Sequence, residues 1–437
     1  MPNPLLKTAL ARNTVWMMGG QGLRLIIQAV YFIEMARSLG VRNYGAFIGV
    51  VAMVGIVYPF ASLGSGNLLV KNVSRERSLF SAYWGRALTF TAICGTLLLI
   101  AVSAVAGFLL PPEIPRLLVI LVAAADIFGL NIITVSAQAF QAFERLGWTA
   151  TITAAMTGGR LLGAIILIAV QPHPSALQWS YLYFGSTGVV AIATSLLVCV
   201  KLGLPKFFWP HPDGEMREGF YFAASQTAQT IYNDIDKTML SRLSTLEATG
   251  IYGAAYRIID VSFVPVSALL WSSYPSFFRA GARGISSSLA YGRPLLRRGL
   301  VYGAFVCGGL LLGAGIVPRI LGEQYRSTAE ALRWLSVLPL LKVIHYFLSD
   351  TLTGAGYQSI RTSLQAGVAV FNILLNLWII PAYSWRGAAW SSIASDAMLV
   401  LGVSVAVRVL DRRPRVDPLQ AIPEPQCEWV AEGQNAN

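Results

Sequence analysis

Charge is what this chain has least of: only 12% of its 437 residues are Asp, Glu, Lys or Arg, while 55% are hydrophobic. A soluble domain carries about 25% charged residues, so a water-soluble fold is excluded. Acids are the scarcer sign, 21 against 33 Lys plus Arg. Cysteine is nearly absent. Cys94, Cys199, Cys307 and Cys427 lack the paired spacing of a metal site or a disulfide framework and read as small apolar residues. There is no zinc-ligand spacing around His345, no phosphate-cradling P-loop and no Ser/His/Asp arrangement. Nothing in the sequence therefore argues for an enzyme, a cofactor or a metal.

What the chain has in abundance is apolar stretches of roughly 20 residues, the length a helix needs to cross hydrocarbon. They fall near 13–36, 44–66, 84–110, 117–141, 149–170, 177–200, 220–241, 250–277, 299–317, 331–350, 363–381 and 387–409. This predicts an all-α polytopic membrane protein of about twelve transmembrane helices. The loops are too short for a folded extramembrane domain. The first stretch is too long and too polar for a signal-peptide core and is expected to stay. With both termini inside, 20 loop Lys and Arg lie on the cytoplasmic side against 8 outside, the other five being intramembrane. That asymmetry sets the expected orientation. The formal charge of +12 is then a topology signal plus attraction to anionic membrane lipids, and no stretch reads as a nucleic-acid footprint.

The segment 201–219, with three prolines, divides the spans six and six. The expected organisation is an N-terminal lobe over 1–200, a cytoplasmic linker over 201–219, a C-terminal lobe over 220–410 and a disordered tail over 411–437. An offset of 205 aligns Gln21 with Gln226, Arg37 with Arg242 and Gly45 with Gly250, and brings Pro59 within one residue of Pro265. An offset of 212 overlays 138–168 on 350–380, so that Arg160 meets Asn372. Six spans per half makes the halves parallel repeats about an axis along the membrane normal.

Ionic groups sit where a span cannot easily hold them: Arg24, Arg160, Lys237, Arg257 and Lys342, with Asp126, Asp234, Asp236, Asp260 and Asp396. Each costs about 2.5–3.5 kcal/mol at bilayer depth, so such residues face a bundle interior or a wet cavity and mark the route of a polar cargo. Gln21, Arg24, Gln28 and Tyr31 share one helical face. Arg24 and Arg160 have no local acid, leaving either an anionic cargo or an acid on another helix as partner; arginine's planar fork suits phosphate. Asn233, Asn372 and Asn376 are candidates for sugar hydroxyls, or for helix packing. Asp234 and Lys237 are three apart and can pair along the helix, as can Arg257 and Asp260. Asp236 is left over on the polar stripe and is the candidate coupling residue, with Asp234 and Lys237 beside it.

ARSLGVRNYGAF (36–47) and NDIDKTMLSRLSTLEATGIYGAAYRI (233–258) resemble the oligosaccharide flippases that carry undecaprenyl-diphosphate-linked repeat units for O-antigen and exopolysaccharide assembly. That family lies in the multidrug/oligosaccharidyl-lipid/polysaccharide exporter superfamily. The resemblance covers about residues 10–410. It implies a bacterial inner-membrane protein with a MATE-like fold of two six-helix lobes around a central cavity. The implied cargo is a lipid-linked oligosaccharide, with a polysaccharide polymerase and a chain-length regulator as possible partners. Relatives' cavities are often markedly cationic, whereas the intramembrane charges here are balanced. An ion-coupled multidrug exporter of the same superfamily is the alternative. A membrane polymerase or ligase would need a large external loop, which is lacking.

Overall fold

The computed structural model describes residues 4–171, 173–207 and 214–412, with side chains from Leu25 onward except at 214, 225 and 275. The expected tail beyond 412 lies outside them. Every regular element among them is helical: α1 (Pro4–Val57), α2 (Ser65–Val73), α3 (Phe80–Leu109), α4 (Arg116–Ala124), α5 (Asn131–Ala142), α6 (Leu146–Val170), α7 (Ala176–Lys201), α8 (Gly214–Leu243), α9 (Leu246–Gly281), α10 (Ile285–Gly313), α11 (Val317–Leu321), α12 (Arg326–Leu335), α13 (Leu338–Gly354) and α14 (Gln358–Asp411), with short turns between.

Two of these are hairpin-like pairs. α1 breaks at Gly40, whose φ of 71° and ψ of 166° suit a residue without a Cβ, and α14 breaks at Ser384. Eight helical stretches are long and apolar enough to cross a membrane, nine with the bent pair ending in α12 and α13. Dividing the two kinked helices, and adding the 30-residue α8, gives twelve segments among the described residues. α8 escapes an apolarity criterion because it carries Asp234, Asp236, Lys237 and Arg242. Its polarity is tolerable because it packs between α1, α14 and α9. Large apolar side chains such as Leu97, Phe108, Val170, Phe305 and Leu312 point outward, as a lipid-facing surface requires.

α1 packs on α6 and, across the halves, on α8 and α9. The crossing is backbone against backbone. A Cβ on Gly45 would stand 1.8 Å from the Leu246 carbonyl oxygen, and one on Gly250 would stand 2.0 Å from that of Val41. Gly45 and Gly250 are partners at the offset of 205, and so are Val41 and Leu246. Each glycine therefore touches the repeat partner of the residue the other touches, which is the reciprocity of a two-fold interface. The same offset carries the Gly40 break onto Thr245, which caps α9 by accepting the Ala248 N–H at 3.1 Å. The offset of 212 carries the break between α6 and α7 onto the Ser384 break. Pro59 lies in the turn that ends α1, whereas α9 continues past Pro265 without interruption.

At the end of the bundle opposite the Gly40 corner, α8 begins at Gly214, so the last part of the expected linker is already helix. Its first turns are tied to the N-terminal half. Lys71 bonds Glu218 at 2.7 Å and Arg86 bonds Glu215 at 2.8 Å.

Candidate functional site

Two adjoining cavities occupy the centre. One, of about 340 Å³, lies between the halves: α1 contributes Tyr31, Phe47 and Gly55, α6 and α7 contribute Arg160 and Tyr183, and α8 and α9 contribute Lys237 and Arg257. The other, of about 530 Å³, lies within the C-terminal half, walled by Gln229 and Asn233 of α8, Tyr256, Trp271 and Tyr274 of α9, and Lys342 and Tyr346 of α13. Asp234 and Asp260 line both, so these carboxylates stand at the border of the two chambers. A third hollow, of about 470 Å³, is almost wholly apolar and opens between α1, α3, α8 and α14, where Met53, Val105, Phe108, Met239 and Leu377 line it.

The charges around the central chambers sort into paired and unpaired. Arg160 donates to Asp126 at 3.0 Å, lies near Thr187 and stacks 4.1 Å from the Tyr183 ring centroid. It is thus an interhelical ion pair that still shows a face to the cavity. Asp126 reaches it from a π-helical turn, Ala125–Leu130, that breaks the register between α4 and α5. Lys237 pairs with Asp234, as their spacing predicts, and lies over the Tyr256 ring. Arg257 and Asp260 do not pair, contrary to expectation; neither has an ion-pair partner among the described residues, although both line the cavity. Lys342, on the same Tyr256 ring at 4.9 Å, likewise has none. Once the pairs cancel, two cations and one carboxylate remain free in the chamber.

Three expectations are corrected. Asp236 does not face the cavity: it is 2% exposed and accepts hydrogen bonds from the Tyr252 and Ser392 hydroxyls, tying α8 to α9 and α14. Asn372 and Asn376 do not wall it either. Asn376 donates to Asn372 at 2.9 Å, Asn372 donates to Ser395 at 3.0 Å, and Ser391 donates to Asn376 at 2.5 Å, so this ladder zips the two limbs of α14 together. Gln28 is half-buried and lines neither central chamber. Asn233 does line one, donating to the Gln229 carbonyl. The side chains of Gln21 and Arg24 lie outside the described residues.

Comparison with known proteins follows the same lines. Residues 10–280 match the profile of a family described as polysaccharide biosynthesis protein. The chain belongs to that family. A curated relative, an uncharacterized membrane protein of Methanocaldococcus jannaschii, is 22% identical over 87% of this chain and 93% of its own length. Among solved structures, the lipid II flippase MurJ in an inward closed conformation superposes with a TM-score of 0.74 at 11% identity, covering 90% of this chain and 87% of that one. An inward-facing multidrug resistance MATE family transporter of the MOP superfamily gives 0.73 at 14%, covering 90% and 96%. A MOP superfamily transporter from Pyrococcus furiosus gives 0.63 at 14%, covering 93% and 97%. At these identities the likeness establishes the fold, that of the MOP-superfamily transporters.

In this member of the polysaccharide biosynthesis family, sequence reasoning missed the aromatic wall of Trp271, Tyr274 and Tyr346, and missed Asp126 as the partner of Arg160. Neither has a local signature, because the contacts join separate helices. The pairing is testable. Arg160→Leu leaves the buried Asp126 carboxylate without its cation, held only by the Tyr183 hydroxyl at 2.7 Å, a loss of about 3–5 kcal/mol. Adding Asp126→Asn should restore most of the thermal stability in detergent. If the double variant is no more stable than the single one, the ion pair is not what holds these helices. For the α14 ladder, Asn376→Leu should lower stability by about 1 kcal/mol, the scale of membrane hydrogen bonds. Transport by the folded fraction should be unchanged, and a complete loss of transport at normal stability would return Asn376 to the cavity wall.

Proposed function

We propose that this protein flips undecaprenyl-diphosphate-linked oligosaccharide repeat units across the bacterial inner membrane by alternating access, with both termini cytoplasmic. The observation that carries this reading is a chamber in which Arg257 and Lys342 have no ion-pair partner, facing aromatic and amide side chains. A diphosphate and several sugars cannot cross hydrocarbon unaided, since every charge and hydroxyl would lose its water. Arg257 and Lys342 are suited to the diphosphate and Asn233 and Gln229 to hydroxyls. Trp271, Tyr274 and Tyr346 offer flat apolar surfaces to sugar rings. Arg160, held by Asp126, lends its field from the wall. The prenyl tail keeps to lipid, and the apolar hollow between α3 and α8 gives it a dry contact.

Mechanically, rocking of the halves about the Gly45–Gly250 crossing exposes the chamber first to one face and then to the other. The ion pairs of Glu215 and Glu218 with α2 and α3 must open when the cytoplasmic face does. A polysaccharide polymerase and chain-length regulator fit as partners downstream of the flipped product. The test is a reconstituted one. Vesicles containing the protein and a fluorescent undecaprenyl-diphosphate oligosaccharide should move the sugar to the quencher-accessible leaflet faster than empty vesicles. Equal rates, with a drug cation transported instead, would replace this reading with an exporter.

A further inference from the structure

Behind the free lysine of the chamber stands an ionisable pair that no part of the proposed cycle yet uses. His345 of α13 and Asp396 of α14 are 1% and 3% exposed, with Nε2 and Oδ1 3.3 Å apart. Neither atom has a hydrogen-bond partner among the described residues, so the two are close without the alignment of a bond. A buried polar atom left in this state is costly, and an added proton, making the pair an imidazolium against a carboxylate, would offset part of that cost by charge attraction. Tyr346 lies against the His345 ring, 4.3 Å between centroids, and itself lines the chamber, so the pair is one side-chain layer from the cavity.

Among the groups packed around the pair, Lys342 is the cation whose field reaches Asp396. On α13, Lys342 lies within the fields of Asp260 first and Asp396 second. From α8, Tyr232 sets its ring edge toward His345 and shares a hydroxyl contact with Tyr346 at 3.2 Å, while Asp236 is turned to Tyr252 and Ser392. From α9, Tyr256 lies under Lys342. Tyr302 of α10 is bonded to the Ser262 carbonyl, and Glu330 of α12 to Arg386. Lys342, whose stronger carboxylate neighbour is Asp260, is thus the cation that also partly offsets Asp396 when the pair holds no extra proton.

We infer that His345 and Asp396 form a proton-binding site linked to the chamber: an anion that engages Lys342 withdraws its charge from Asp396, and a proton taken up by the pair replaces it. The inference rests on the proposed diphosphate cargo. By reciprocity, an anion that promotes protonation must itself bind more tightly as the pH falls.

The test uses the full-length protein in detergent and farnesyl-diphospho-N-acetylglucosamine, a diphosphate diester; a phosphate monoester would itself titrate near pH 6 and blur the result. For one linked proton, wild-type affinity should rise as the pH falls, by up to about tenfold per unit. Adding the probe at pH 6.5 in weak buffer should draw protons from solution. His345→Gln and Asp396→Asn should each bind the probe with a flattened pH dependence. A wild-type slope retained in His345→Gln, or no proton uptake by the wild-type protein on binding, overturns the inference and leaves the cargo reading standing. No binding by the wild-type protein at any pH overturns both.

Discussion

Reversing both free cations, with Arg257→Glu and Lys342→Glu combined, is expected to abolish export of lipid-linked sugar. A hydrogen bond to a charged group contributes about 1.5–3 kcal/mol. Two lost contacts therefore amount to about 3–6 kcal/mol, or about 10²–10⁴ in affinity, before like-charge repulsion is added. Neither residue has an ion-pair partner among the described residues to strand, but a carboxylate at position 342 would face Asp260 and Asp396. The neutral pair Arg257→Gln and Lys342→Gln, which should lose export on the same grounds, separates loss of cargo binding from loss of folding. Arg160→Glu is the contrasting case: it sets two carboxylates against each other at a buried position and should cost stability first. Arg257→Lys and Lys342→Arg keep the charge and should keep transport within about tenfold, the cost of roughly one imperfect contact. Export measured alongside thermal stability separates the cases. Full activity in the folded double reversal would remove the anion from the chamber.

The fold was legible wherever a single span carries its own evidence. Apolar length marked most helices, and the polar stripe marked α8 as an interior one despite its charge. Periodicity then reached its limit. Gln229, Asn233 and Asp236 share a face, yet the first two line the chamber and the third is sealed by Tyr252 and Ser392. The reason is depth. Asp236 lies eight residues before the α8–α9 corner at Ser244 and Tyr252 eight residues after it, so the two limbs close over each other there. The α14 ladder obeys the same geometry, since Asn376 and Ser391 lie eight and seven residues from Ser384. Polar residues equidistant from a predicted interhelical corner are a readable signal of packing. Arg160 and Asp126 offer no such signal, because α6 and the π-helical turn are not neighbours in sequence. Candidate site residues were thus readable as interior, while which of them stay unpaired was decided by tertiary contact alone.

The crossing of the halves makes the second large prediction, and it is symmetric. Gly45→Leu should disrupt the protein severely, since its Cβ alone would stand 1.8 Å from the Leu246 carbonyl oxygen, a backbone atom that cannot swing aside. Gly250→Leu should do the same against Val41. Overpacking costs about 1–3 kcal/mol even where side chains can adjust, so here the stability loss should exceed that range and export should vanish. Alanine should already be damaging at both positions, and to a similar degree, because each glycine meets the other's counterpart. Gly308 and Gly309 of α10 supply the control, with nothing near the position of an added Cβ. Alanine there should be neutral or stabilise by about 0.5–1 kcal/mol. Thermal denaturation in detergent and export in cells lacking the native gene read out all four. If Gly45→Ala were harmless and Gly250→Ala ruinous, the two-fold relation at this contact would fail, and with it the pivot on which the halves are proposed to rock.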